Sequence, residues 1–179
     1  MEGPPLTRRI VTAVDEAGLS YIAEDGSSPS LVTIEARPGF RNNNIWRTLG
    51  ADARVDAPDT ILDQQGACPP AGGTVIRVVD VPPESSDMAE VTKVYDSLIK
   101  SVYPDIDHRP DNRHPGMHVT NTIDYAIVLS GELVAILDKE ETVMKAGDIL
   151  IQRGTNHAWA NRSGKMVRIA FILTDSSPA

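Results

Sequence analysis

Short runs of residues typical of β-strands recur along the chain, and turn residues separate one run from the next. Four such runs predict β-strands in the first part of the chain. They cover residues 9–14, 31–34, 44–48 and 74–79. The segments 24–29 and 66–73 between them are rich in turn residues and predict loops. The largely polar residues 51–65 match no regular pattern.

One segment has the period of a helix, residues 85–102. Its apolar stripe consists of Met88, Val91, Val94, Tyr95, Leu98, Ile99 and Val102. We expect Ser86 as the N-cap, acidic residues in the first turn, and an end at Pro104. The stripe is expected to pack against the rest of the protein, and the alternative is a lid over a binding pocket.

The last part of the chain is a meander of short strands joined by turns, several of which contain Gly. The strands cover residues 125–129, 132–137, 141–144, 149–152, 157–161 and 166–173. Strands this short and evenly spaced indicate an all-β barrel or sandwich rather than an α/β fold. The chain length fits a single domain over residues 1–179, with a β extension at 1–82, the helix at 85–102 and a core at 113–175.

Charge and cysteine content exclude several classes of protein. Seventeen basic and twenty-five acidic side chains give a net charge of −8, which argues against nucleic acid or an anionic membrane as partner. Residues 1–9 lack the apolar core of a secretory signal, and no apolar run is long enough to span a membrane. Cys68 is the single cysteine, so no intrachain disulfide can form, and we expect an inert thiol. A cytoplasmic protein is the expectation.

The candidate chemistry lies around the histidines His108, His114, His118 and His157. If 118–124 is one strand, alternation places His118, Thr120, Thr122 and Asp124 on one face, and His157, Trp159 and Asn161 share a face in a later strand. Two imidazoles and a carboxylate would converge if these faces meet inside a barrel. Divalent first-row metals prefer that ligand set.

These residues and their spacing resemble the two sequence motifs of the cupin superfamily. The first motif has two His separated by one residue, then a Glu, then a Gly seven residues later. The second has a Gly, a Pro-x-Gly turn, a His, and an Asn four residues on. The matching positions are His118, Asp124 and Gly131 in the first motif, and Gly147, Gly154, His157 and Asn161 in the second. The resemblance implies a double-stranded β-helix, the cupin jelly-roll barrel, here with extra N-terminal strands and one helix.

The resemblance also implies a metal site formed by His118, Asp124 and His157, with Asn161 as a structural residue. The chain departs from the pattern at Thr120, which stands in place of the second His, and Asp124 is shorter than the usual Glu. Two imidazoles and one carboxylate are enough for non-haem iron and related ions. We therefore predict a divalent cofactor, Fe, Mn, Zn or Ni, and a metal-free pocket is the alternative.

Further side chains are predicted to line the substrate pocket. His114 lies on the same parity as His118 and is an alternative source of the missing nitrogen. Trp159 would form a hydrophobic wall or a stacking platform, and Thr122 would line the pocket on the same face as His118 and Asp124. Thr120 would hold a metal-bound water or fill space, and with Asp124 it is predicted to be catalytic.

Three functions are compatible with such a pocket. The first is a metal-dependent small-molecule enzyme with lyase or isomerase chemistry, either decarboxylation or dehydration. The alternatives are a non-haem iron dioxygenase and a non-catalytic small-molecule-binding cupin. The single helix is not basic, so no helix-turn-helix is available for DNA binding. Extra strands at 9–14 and 31–34 leave sheet edges to cover, which predicts a homodimer.

Overall fold

The computed structural model describes residues 4–178, and the strands in this range form three antiparallel sheets. The first is a hairpin of β1 (Arg8–Val14) and β2 (Ser20–Ser27). In spatial order the six-stranded sheet contains β11 (Ile149–Arg153), β8 (Thr122–Ser130), β13 (Val167–Asp175), β5 (Thr74–Val81), β4 (Arg41–Thr48) and β3 (Ser30–Thr33). The five-stranded sheet contains β10 (Glu141–Lys145), β9 (Glu132–Leu137), β12 (His157–Ala160), β7 (His118–Val119) and β6 (Asp107–His108).

The main core lies between the two larger sheets. Val79, Val128 and Ile169 of the six-stranded sheet pack in one buried cluster with Leu133 and Ala135 of the five-stranded sheet. Their alternation along each strand directs every second side chain inward. The result is the predicted all-β fold, a double-stranded β-helix in which the two sheets close around a core.

The helix α1 (Met88–Val102) covers one side of this core. Its N-cap is Asp87, whose carboxylate accepts a hydrogen bond from the Ala89 amide at 2.9 Å, so the prediction of Ser86 was wrong. The reason is local, because Asp87 has the extended backbone of a cap (φ −85°, ψ 106°). The apolar stripe packs into the main core through Val91, Tyr95 and other buried members, as predicted.

Two segments differ from the prediction for physical reasons. The strand β2 occupies part of the predicted turn 24–29, and all its residues are exposed. Backbone pairing with β1 holds β2 in place. Because none of its side chains is buried, its sequence carries no apolar pattern from which the strand could be predicted. The predicted single strand 118–124 is two strands, β7 and β8, which belong to different sheets and meet at Thr120 and Asn121.

Turn chemistry fixes the connections as the motif residues suggested. Gly131 joins β8 to β9 with φ 80°, and a Cβ there would lie 3.0 Å from the Val167 side chain, so a larger residue would be strained and crowded. Asn161 is fully buried, and its amide donates to the carbonyl oxygens of Val81 and Lys165, both at 2.7 Å. These bonds tie the end of β12 to β5 and to the turn before β13.

A 3-10 turn, Ile61–Asp63, lies in the unassigned segment 51–65, and α1 is the α-helix of the described range. Within residues 4–178, no helix is long and apolar enough to cross a membrane. The expectations that involve residues 1–3 and 179, the absent secretory signal and the single domain over 1–179, extend beyond the described residues and stay predictions.

Candidate functional site

A cavity of about 120 Å³ lies inside the barrel, between the two larger sheets and α1. Both phenylalanines of the chain, two of its four tyrosines and one of its two tryptophans line it. Aromatic lining is concentrated there although aromatic residues make up only 4% of the chain. Five of the predicted site residues reach the cavity: His118, Thr120, Asp124, His157 and Trp159.

The two histidines at the cavity form a close pair. His118 on β7 is the direct partner of His157 on β12, and their ring centroids are 4.2 Å apart. The Nδ1 atoms lie 2.9 Å from the carbonyl oxygens of Gly116 and Thr155, respectively. A carbonyl can only accept, so each Nδ1 carries the proton and each Nε2 keeps its lone pair.

Burial keeps both imidazoles neutral. It lowers the pKa of His118, and the nearby His108 lowers it further. It also lowers the pKa of His157, to about 3, with a further contribution from His118. Neutral imidazole is the form that binds a metal or accepts a proton. Trp159 packs edge-on against His157, with centroids 5.5 Å apart.

Asp124 on β8 is the buried carboxylate of the cavity. Only 4% of its surface is exposed, and its Oδ1 has no hydrogen-bond partner among the described residues. Burial raises its pKa to about 6, against the opposing effects of the Thr122 hydroxyl and the Arg77 charge. A carboxyl group with this pKa can take up and release a proton near neutral pH.

The three predicted metal ligands do not form a complete ligand set. Among residues 4–178, no group of three or more His, Cys, Asp or Glu side chains lies close enough to hold a metal ion. The pair of imidazole Nε2 atoms suits two positions of a transition metal, but Asp124 does not join them as the third. The residues present therefore fit a metal only in part, and the metal site stays a prediction.

Two predicted pocket residues lie outside the cavity lining. His114 is buried, its Nε2 is 3.3 Å from Glu84 Oε1, and its ring packs edge-on against Tyr95. It therefore supports the helix rather than supplying a ligand beside His118. Thr122 is buried, and its Oγ1 lies 2.7 Å from the Oγ1 of Thr120. Of these two threonines, Thr120 is the one that lines the cavity.

The sequence did not single out Arg77, although it lies inside the barrel. It is 3% exposed and lines the cavity. Its Nη2 donates to the Ala67 carbonyl at 2.6 Å, and its Nε is buried with no partner in the described part of the chain. A signal was present, because Arg77 stands between Val75 and Val79 on the parity that points inward.

Cys68 behaves as an inert thiol. Burial, together with the negative charge of Asp105, raises its pKa to about 12. The thiolate that a nucleophile requires is therefore absent at neutral pH.

The architecture and this site define a β-barrel protein with a partly open, mostly apolar cavity that carries a few buried polar groups. The family model of the cupin domain (Cupin_2) matches residues 105–173. Phomopsin biosynthesis cluster protein C' of Diaporthe leptostromiformis is 35% identical over 191 residues, which cover 99% of this chain and 84% of that protein. The chain belongs to the cupin superfamily.

Other similarities cover less of the chain or are more distant. The cupin-domain-containing oxidoreductase virC of Hypocrea virens is 38% identical over 77 residues, 41% of this chain and 39% of that protein. Among solved structures, the cupin domain of Cnp3 from Schizosaccharomyces pombe is 11% identical and has a TM-score of 0.46. That match covers 94% of this chain and 88% of the other.

Proposed function

We propose that this cupin is a small-molecule enzyme in which Asp124 transfers a proton on a substrate held in the cavity. The observation that carries the proposal is the buried, unpartnered Oδ1 of Asp124, on a carboxyl group whose pKa is raised to about 6. Perturbed carboxyl groups of this kind in a cavity are candidates for acid–base catalysis. Lyase or isomerase chemistry at a carbon next to a carbonyl group requires such a proton-transferring group.

The proposed step moves one proton out and back. The ionised Asp124 takes a proton from a carbon next to a carbonyl group of the substrate, and the electron pair of that C–H bond shifts toward the carbonyl. Asp124 then returns the proton to the far carbon of an adjoining C=C bond, which moves that double bond, or to a hydroxyl group on the next carbon, which leaves as water. The walls of the cavity are mostly apolar, and the neutral His118 and His157 each offer an Nε2 lone pair to a polar group of the substrate.

Deuterium exchange tests this proposal with simple compounds that carry the required carbonyl group. A panel of small ketones and hydroxyketones is incubated with the protein in D₂O and followed by NMR for exchange at carbon or loss of water. We expect Asp124→Asn to slow any exchange by roughly 10²–10⁴-fold, the usual contribution of a positioned acid or base. Asp96→Asn, the same change on the exposed face of α1, should react like wild type. Equal rates for wild type and Asp124→Asn would overturn the proposal.

A redox function is the second candidate, and the names of relatives favour it. Three proteins that are 38% identical over part of this chain are named cupin-domain-containing oxidoreductases. A non-haem iron dioxygenase would use the Nε2 atoms of His118 and His157 and would need further ligands. Iron-dependent oxygen consumption by the purified protein, insensitive to Asp124→Asn, would favour this candidate over proton transfer. Tight binding without turnover would indicate a binding protein.

A further inference from the structure

Two charged side chains reach the same cavity from strands on either side of β13. Arg77 on β5 lies opposite Phe171, and Asp124 on β8 lies opposite Leu173. Residues directly opposite each other share a face, and both Phe171 and Leu173 line the cavity. The guanidinium and the carboxylate therefore face one space from two directions.

Each of these side chains has one polar atom without a partner in the described chain. They are Nε of Arg77 and Oδ1 of Asp124, and both residues are at least nine-tenths buried. The nitrogen can only donate a hydrogen bond, and the ionised carboxylate can only accept one. A buried polar atom left unpaired is unfavourable, so a ligand that satisfies both atoms gains affinity.

A hydroxyl group satisfies both atoms at once, because it accepts from Arg77 and donates to Asp124. The two charges balance, so a charged group between them meets repulsion from one side. A carboxylate would meet Asp124, and an ammonium would meet Arg77. The polar part of the ligand is therefore uncharged.

The rest of the cavity determines the body of the ligand. Phe40, Tyr103, Trp159 and Phe171 are among its walls, and Trp159 and Phe171 pack edge to face with centroids 5.2 Å apart. The volume, about 120 Å³, is of the order of the ~150 Å³ apolar cavity that takes up benzene. One flat ring of that size fits, and its faces and edges find aromatic partners.

We propose that Arg77 and Asp124 form a hydroxyl-binding subsite, and that the cavity takes an uncharged molecule consisting of one flat ring with a hydroxyl group. The inference rests on the proposed function for the use of this cavity, and it describes the ring and hydroxyl group that the cavity recognises rather than the carbonyl group that reacts. It concerns binding alone, so it can fail while proton transfer by Asp124 stands, and the reverse also holds.

The test uses phenol, toluene and benzoate, three probes with one ring each. Wild-type protein carrying ¹⁵N-labelled arginine is titrated with each probe at pH 7.5, and dissociation constants come from NMR shift changes. We expect phenol to bind at least roughly tenfold more tightly than toluene, since its hydroxyl meets charged partners, and benzoate to bind most weakly. The Nε–H signal of Arg77 should move with phenol and stay in place with toluene.

Variants then identify the residue responsible. Arg77→Lys keeps the charge but removes Nε, so the preference for phenol over toluene should disappear. Arg9→Lys is the matched control, because Arg9 is also buried but binds Glu24 and Asp59 away from the cavity. If Arg77→Lys does not fold, the wild-type titrations decide. Equal binding of phenol and toluene, tightest binding of benzoate, or a phenol preference that survives in Arg77→Lys would each overturn the inference.

Discussion

His118 and His157 face each other across neighbouring strands, with ring centroids 4.2 Å apart and ring planes tilted by 47°. The local backbone sets the tautomer of each ring, because each Nδ1–H donates a hydrogen bond to the carbonyl oxygen two residues earlier in the chain. Both Nε2 lone pairs are thereby preserved in a buried setting. This pair is the part of the expected metal site that the fold assembles, and it is the natural starting point for experiments.

Replacing His157 tests whether the pair holds a metal. We expect His157→Ala to weaken zinc or nickel binding by more than the roughly 10–100-fold seen on loss of an outer-shell partner. The fold should persist, because the alanine removes a cavity-lining ring and not a turn residue. Metal titration with a competing chelator and far-UV circular dichroism measure the two effects.

His114→Ala is the control for this variant. His114 is as buried as His157 but contacts Glu84, so its loss should leave metal affinity unchanged and destabilise the protein by about 1–3 kcal/mol. If His157→Ala changes neither metal content nor stability, the histidine pair has no ligand role. If it unfolds the protein, His157 is a packing residue.

Thr120 offers the converse experiment, in which a ligand is added. Thr120 is 5% exposed and reaches the cavity, and it stands where the cupin pattern has a second His. We expect Thr120→His to tighten zinc binding by roughly tenfold, equivalent to about 1.4 kcal/mol. The larger ring must displace the bond to Thr122, and it fills space needed by a substrate, so turnover should fall.

The control for the added ligand is Thr142→His, which places an imidazole on the exposed strand β10. Zinc affinity measured against a chelator should match wild type in this variant. If Thr120→His also leaves zinc affinity unchanged, the side chain at position 120 does not face the ion. The assignment of the segment between β7 and β8 to a metal site would then be wrong.

The barrel could be predicted from the sequence because its signals are local. Turn glycines such as Gly131 and the alternation within each strand depend on near neighbours. The spacing of the motif residues also predicted that His118 and His157 line one cavity. Pairing between distant segments left no such signal. His114 was misplaced because its partner Glu84 lies 30 residues away.

A similar limit explains the missed Arg77 and the misread segment 118–124. The inward parity of Arg77 is visible in the sequence, but its role depends on the strand order β5, β13, β8, which brings it to the same cavity as Asp124. The segment 118–124 alternates like one strand and yet crosses between two sheets. Local alternation alone does not report such a crossing.

The hairpin β1–β2 carries the prediction of a homodimer. Its exposed apolar side chains are Ile10, Val14, Leu19, Tyr21 and Ile22. Ile10 and Ile22 share one face, because Ile22 pairs with Thr12. We propose that a second copy covers this face, since an exposed apolar ribbon favours association.

Light scattering at micromolar concentration should therefore give twice the 19.3 kDa mass of the chain. The double substitution Ile10→Ser with Ile22→Ser should give the monomer mass. Val143→Ser, an equally exposed change on β10, should leave the dimer intact. A 19.3 kDa species in wild type would refute the dimer, and a dimer that survives the double substitution would place the interface elsewhere.

Asp124 should make the folded protein less stable at high pH, because its buried carboxyl group must then carry a charge. Its pKa is about 6 in the folded protein and near 3.8 when unfolded, so the folded state holds the proton more tightly. Below pH 3.8 both states are protonated and the group has no net effect. Between pH 3.8 and 6 the unfolded state releases its proton first, so stability falls as pH rises, and above pH 6 the full penalty applies. The difference between these two pKa values corresponds to about 3 kcal/mol.

Asn cannot ionise, so Asp124→Asn should remove this penalty. Urea unfolding should show the variant more stable than wild type by up to about 3 kcal/mol at pH 8 and equally stable near pH 4. Asp96→Asn on the exposed face of α1 should show no such pH-dependent difference from wild type. Higher stability combined with lost proton exchange would be the pattern expected of an active-site carboxylate, since catalytic groups are often held at the expense of stability. Lower stability of Asp124→Asn at pH 8 would instead mean that the ionised carboxylate is stabilised by a partner in the folded protein, and Asp124 would then be a structural residue rather than the catalytic acid–base.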